Sequence, residues 1–124
     1  MPTKSNGCKV LVVDDDAANR ETLALVLEDE GYSVSMAEHG GRALALLDEG
    51  FDADLILTDL QMPVVSGWEL CERLKKSTAW RSIPVIVLAG MTSEQRGQIQ
   101  VEGAFEKPTD VPTLLRRIDE LCGV

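Results

Sequence analysis

The fold class this sequence predicts is α/β, a parallel sheet with helices on both faces, and three features predict it. Short runs of consecutive apolar residues, Val10-Leu11-Val12-Val13, Leu55-Ile56-Leu57 and Val85-Ile86-Val87-Leu88, lack the alternation of half-exposed strands, so both their faces must be buried. Segments with apolar residues at helical spacing separate these runs. Strand and helix patterns alternate five times over 124 residues with no repeat or linker, and such alternation gives a parallel sheet.

Taken in order, Lys9 to Val13 is the first strand, and Asp16 caps a helix carrying Leu23, Val26 and Leu27 until Gly31 stops it. Tyr32 to Ala37 alternates loosely as a second strand. Gly40-Gly41 opens a second helix that buries Ala43, Leu44 and Leu47 and closes at Gly50. The central strand covers about Asp54 to Thr58. Ser66-x-x-Glu69 fits a capping box for a third helix with Gly67, Leu70, Cys71 and Leu74 on one face. Pro84 introduces the fourth strand. Met91 to Val101 is polar, holds Gly97 and offers only Ile99 and Val101 to a core, so it predicts a short or irregular fourth helix. Gly103 to Glu106 is a brief fifth strand. Asp110 caps a last helix, with Pro112 in its first turn and Leu114, Leu115, Ile118, Leu121 and Cys122 facing inward.

A chain of this length with 44% hydrophobic residues is one domain, 1–124, with about residues 1–7 as a flexible amino-terminal tail. Its net charge of −9 argues against nucleic acid or an anionic membrane as a direct partner. Cys8, Cys71 and Cys122 show no metal-binding spacing and read as small buried residues in a reducing compartment. The polar start lacks a secretory signal, and no apolar run approaches the ~18 residues of a membrane span. A cytoplasmic location follows as the expectation.

Chemistry concentrates at three strand ends: Asp14-Asp15 after the first, Asp59 after the third, Lys107-Pro108 after the fifth. Parallel strands bring all their carboxyl ends to one edge, where open α/β sheets hold ligands. Clustered carboxylates repel one another unless a cation joins them, and Mg2+ accepts a few carboxylates while keeping other positions for water or phosphate oxygens. A carboxylate beside a divalent cation and a lysine suits phosphoryl transfer through an acyl phosphate.

Val-Val-Asp14-Asp15-Asp16, Asp59-Leu-Gln-Met62-Pro63-x-x-x-Gly67 and Lys107-Pro108, in this order and over nearly the whole chain, resemble the response-regulator receiver domain of two-component signalling. The resemblance implies a flavodoxin-like, doubly wound five-stranded sheet in order 2-1-3-4-5. It implies that Asp59 accepts a phosphoryl group from the phosphohistidine of a histidine kinase or phosphotransfer protein. Asp15 and Asp59 would bind Mg2+ directly, Asp14 mainly through water, and Gln61 through its backbone carbonyl. Lys107 would pair with the phosphoryl group or with Asp59, its orientation set by a cis bond to Pro108, while Met62, Pro63 and Gly67 shape the loop beyond Asp59. A signalling module, not a turnover enzyme, is implied, with an output protein or fused domain and a homodimer as further partners.

The sequence departs from that family at two positions. The Thr or Ser that ends the fourth strand is Ala89, and the switch aromatic three residues before the lysine is Ala104. Phe105 is adjacent to Ala104, yet strand alternation points it to the opposite face. The segment from Ala89 to Lys107 is also shorter than usual. Phosphorylation chemistry is therefore expected to survive with a non-standard output. Two alternatives carry other weights. A docking domain indifferent to phosphate would explain both alanines but not the aspartates. A phosphatase of the haloacid dehalogenase type would use Asp14-x-Asp16, but has Ala18 at a position where that family needs Thr or Val. His39 reads as a solvated loop residue, and Trp68 and Trp80 as packing or partly exposed groups.

Overall fold

A computed structural model describes residues 8–60, 62, 65–92, 94–95, 98, 101–105 and 110–122. The strands are β1 (Lys9–Val13), β2 (Ser33–Ala37), β3 (Leu55–Thr58), β4 (Val85–Val87) and β5 (Gly103–Ala104). They form one parallel sheet in order β2-β1-β3-β4-β5. The helices are α1 (Ala17–Asp29), α2 (Gly40–Asp48), α3 (Gly67–Lys76) and the last helix, α4 (Val111–Leu121). Between β4 and β5, Glu94, Gln95 and Gln98 are helical, within the stretch predicted to be short or irregular.

Consecutive residues of each inner strand point to opposite faces, so the apolar runs fill two cores. Leu11, Val13, Ile56, Val85 and Val87 pack with Ala43 and Leu47 of α2 and Leu70, Cys71 and Leu74 of α3. Val10, Val12, Leu55, Leu57 and Ile86 pack with Leu27 of α1 and Leu114 and Ile118 of α4. Burial pushes the Cys71 thiol up to about 11.

Local signals explain most boundaries. The Asp16 carboxylate accepts from the Asn19 N–H, and Gly31 leaves α1 with φ 98°, where a side chain would be strained. Ser66 Oγ accepts from the Glu69 N–H, but only half of the capping box forms, because the Glu69 carboxylate turns to Arg73 at 2.7 Å. Asp110 takes the capping position of α4 without capping it. Its carboxylate accepts from the Thr113 hydroxyl instead, and Pro112 removes one of the amides it would have served. β5 ends at Ala104, one residue short of Phe105, which the sequence predicts as its continuation; Glu106 lies outside the described residues. His39 is not a bystander in a loop. Its Nδ1 accepts from the Arg42 N–H and caps α2.

The cysteines need the largest correction. Cys8 and Cys122 are joined as a disulfide across 114 positions, with Cα atoms 6.2 Å apart; Cys71 is the free thiol. Cys8 precedes β1 and Cys122 ends α4, so only the tertiary fold brings them together. Two of the three expected buried thiols are thus a covalent link, and cysteine usage no longer argues for a reducing compartment. No described helix is long and apolar enough to cross a membrane.

Candidate functional site at the carboxyl edge of the sheet

The strand register aligns Ala37, Val13, Thr58, Val87 and Ala104 in one row across the sheet. The ladder continues one residue further. Asp14 N–H bonds the Ala37 carbonyl at 3.1 Å, Asp59 N–H that of Val13 at 3.0 Å, Leu88 N–H that of Thr58 at 2.8 Å and Phe105 N–H that of Val87 at 2.8 Å. Asp14 and Asp59 are therefore neighbours in the last hydrogen-bonded row. Their positions come from hydrogen-bonded sheet backbone, which holds a site more precisely than a loop does.

Carboxylate oxygens of Asp14, Asp15 and Asp59 lie within 4.8 Å of one another. Asp14 is 2% exposed, Asp59 half-buried and Asp15 exposed, so the cluster opens from the core to solvent. Backbone amides orient two of the side chains: Asp16 N–H donates to Asp14 Oδ1 at 3.0 Å, and Leu60 N–H to Asp59 Oδ1 at 2.7 Å. Three hard oxygen donors at this spacing fit Mg2+, whose preference is for carboxylates completed by waters and phosphate oxygens. The groove of about 910 Å³ on α3, lined by Trp68, Glu69, Arg73 and Gln98, includes none of the aspartates. The cluster sits instead on an open edge of the sheet.

Two supporting groups escaped the sequence reading. Arg20 Nη1 donates to the Asp14 carbonyl at 2.8 Å, tying α1 to the end of β1. The fully buried Thr58 hydroxyl donates to the Asp59 carbonyl at 2.8 Å. Thr58 has a signal in hindsight, being the one polar residue in an otherwise apolar strand; Arg20 has none.

The loop after Asp59 is built by close approach. Gly67 N–H bonds the Leu60 carbonyl at 3.0 Å, and a Cβ on Gly67 would meet the Asp59 carbonyl oxygen and stand 2.7 Å from Leu60 Cα. Glycine is required there by space, since its φ needs no special freedom. Met62 is buried in the core under α2 and α3. Gly40 N–H bonds the Val65 carbonyl at 3.0 Å, so the start of α2 braces the same loop. Gln61, Pro63, Lys107 and Pro108 lie outside the described residues.

At the other half of the edge, Ala104 is the register partner of Val87, and Ala89 follows Val87 by two. Both positions share the face of Val87, and Ala89 packs against the core under α2 and α3. Phe105 packs in the opposite core, among Leu88, Leu114 and Ile118. The aromatic that follows Ala104 in the chain is thus on the far side of the sheet.

A family model described as the response regulator receiver domain matches residues 10–119. The chain belongs to this family. It is a receiver domain of two-component systems, a signalling module whose family typically holds Mg2+ in an acidic pocket. Among curated relatives, it is 35% identical to the two-component response regulator ORR6 of rice over 118 residues, 88% of this chain and 69% of that protein. It is 39% identical to the transcriptional regulatory protein ResD of Bacillus subtilis, over 86% of this chain and 41% of ResD. Among solved structures, the chemotaxis response regulator CheY4 of Vibrio cholerae superposes with a TM-score of 0.82 at 29% identity, covering 92% of this chain and 98% of CheY4. The receiver's sheet order is the one its sequence implied.

Proposed function

We propose that this receiver accepts a phosphoryl group on Asp59 from a phosphohistidine of a histidine kinase or phosphotransfer protein in the cytoplasm. The observation that carries the reading is the grouping of the Asp14, Asp15 and Asp59 carboxylates within 4.8 Å at adjacent strand ends. An Asp59 carboxylate oxygen attacks phosphorus, the P–N bond breaks, and the imidazole departs, leaving an acyl phosphate on Asp59. The Leu60 amide fixes the rotation of the carboxylate, and the Thr58 hydroxyl fixes the backbone that carries it. Asp15 and Asp59 would hold Mg2+, with Asp14 acting through water and Gln61 through its carbonyl, and the ion would supply neutralising charge. Lys107, set by Pro108, pairs with the phosphoryl oxygens, while Met62, Pro63 and Gly67 shape the loop that admits them.

Ala89 offers no hydroxyl to the new phosphoryl oxygen, and Ala104 offers no aromatic ring to rotate. The phosphorylation signal therefore leaves by a route other than hydroxyl-to-aromatic relay, towards an output protein, a fused domain or a second copy. Incubation with a small acyl-phosphate donor and Mg2+ tests the reading. Wild type is expected to gain the mass of one phosphoryl group and Asp59→Asn to gain none; an unchanged wild-type mass with Mg2+ present overturns it.

A further inference from the structure

We propose that Cys8 and Cys122 form a reversible thiol–disulfide site that fastens the last helix to the sheet in its oxidised form. Their Cα separation of 6.2 Å lies within the range a disulfide bridges without moving the backbone. Cys8 stands immediately before β1 and is 7% exposed; Cys122 ends α4 and is more exposed. Both belong to the core formed with Leu27, Tyr32, Leu114 and Ile118. The pair lies at the edge of the sheet opposite the aspartates, because α4 runs antiparallel to the strands.

Two non-covalent ties converge on the same part of α4. The Tyr32 hydroxyl, just before β2, donates to the Asp119 carboxylate. The Arg117 guanidinium donates to the Glu102 carbonyl, just before β5, at 3.0 and 2.7 Å. The end of α4 is thus tied to the starts of β1, β2 and β5, and only the β1 tie is covalent. Breaking it leaves the helix docked through Leu114 and Ile118 and tied through Arg117 and Asp119, and frees its last residues, Leu121 and Cys122. Cys71 takes no part, since it is buried in the opposite core with its thiol held in the protonated form.

The exchange partner is a low-molecular-weight thiol and its disulfide, of the glutathione class. The Cys122 thiolate attacks the external disulfide, forming a mixed disulfide and expelling one thiolate. The Cys8 thiolate then attacks the Cys122 sulfur, forming the Cys8–Cys122 bond and expelling the second thiolate. Two protein thiols lose two electrons, one external disulfide gains them, and the two protons end on the two small thiols. Excess thiol runs the sequence backwards, with first attack at the more exposed Cys122. Reversibility rests on the cytoplasmic location proposed above, because a disulfide in a reducing compartment is made and broken.

Equilibrating the full chain in graded glutathione buffers, then alkylating it in denaturant and weighing it, tests the pair. One alkylation under oxidising conditions and three under reducing ones are expected of the monomer, with one reversible midpoint. Hydrogen exchange at Leu121 and Cys122 should be about tenfold faster or more in the reduced chain, as freed helix-end residues would be. Cys122→Ser should show the fast exchange in either buffer. Three alkylations at every ratio, intermolecular disulfides, oxidation that glutathione cannot reverse without denaturant, or equal exchange in both states would each overturn the proposal. Neither readout involves Asp59, so these failures leave the phosphoacceptor reading standing.

Discussion

At the β1–β3 half of the carboxyl edge, the residue just past the last shared row is an aspartate in both strands, and Asp15 adds a third carboxylate. At the β4–β5 half, the same ladder positions are Leu88 and Phe105, turned into the core with α1 and α4, while Ala89 and Ala104 occupy the other face. Both halves share a register and a backbone ladder. They differ in the side chains that these positions carry. Under the proposed function, holding a phosphoryl group would rest mainly on the first half and reporting it on the second, so one could be retained while the other is remade.

Tests of this contrast differ in size. The largest effect is expected from Gly67→Ala, which forces a methyl group against the Asp59 carbonyl and Leu60 backbone. A loss of about 3 kcal/mol or more in a urea titration is predicted, at the upper end of overpacking costs. Wild-type stability would show that the loop yields and that Asp59 is less rigidly held than argued. Next, Asp14→Asn with Asp15→Asn should cut Mg2+-dependent phosphoryl incorporation about a hundredfold or more, since two of three anionic donors are gone. The same variant should gain about 1 kcal/mol of stability in the absence of divalent cations, from relieved repulsion. A parallel fall in both quantities would mean that the carboxylates serve packing.

Ala89→Thr addresses the other half directly. A hydroxyl at this position can donate to a phosphoryl oxygen, so it should strengthen the response to phosphorylation by about 1.5–2 kcal/mol, the size of one charge-assisted bond. Comparing hydrogen exchange of phosphorylated and unphosphorylated chains around β4 and β5 would show it; no gain over wild type would place the reporting route elsewhere. The smallest effect belongs to His39→Ala, which removes the cap of α2 at a cost of about 1 kcal/mol, recovered by His39→Asp. If both variants match wild type, the imidazole is not what holds the start of α2 against the Val65 loop.

Legibility in the sequence followed the range of the forces involved. The inner strands were readable because burial on both faces leaves consecutive Val, Leu and Ile, as in Leu55-Ile56-Leu57. The aspartates were readable because a carboxylate ending such a run must emerge at the sheet edge. Contacts between distant segments left no local trace. The Cys8–Cys122 link spans almost the whole chain, and the Arg20 and Arg117 guanidinium groups reach backbone carbonyls, which any residue supplies. Caps were read from residue preference, and preference misled twice: His39 caps α2, and Asp110 fails to cap α4. Ala89 and Ala104 were visible as departures, while the faces they share needed the register of β4 and β5.

The central claim is that the phosphoryl-accepting half works although the reporting half has lost its hydroxyl and its ring. Intact-mass measurement of the wild-type chain after exposure to an acyl-phosphate donor, with and without Mg2+ and beside Asp59→Asn, tests it most directly. The account predicts one phosphoryl group on the wild type with Mg2+, little without the metal and none on Asp59→Asn. A wild-type chain that stays unmodified with Mg2+ present, or an Asp59→Asn chain modified equally, would contradict it.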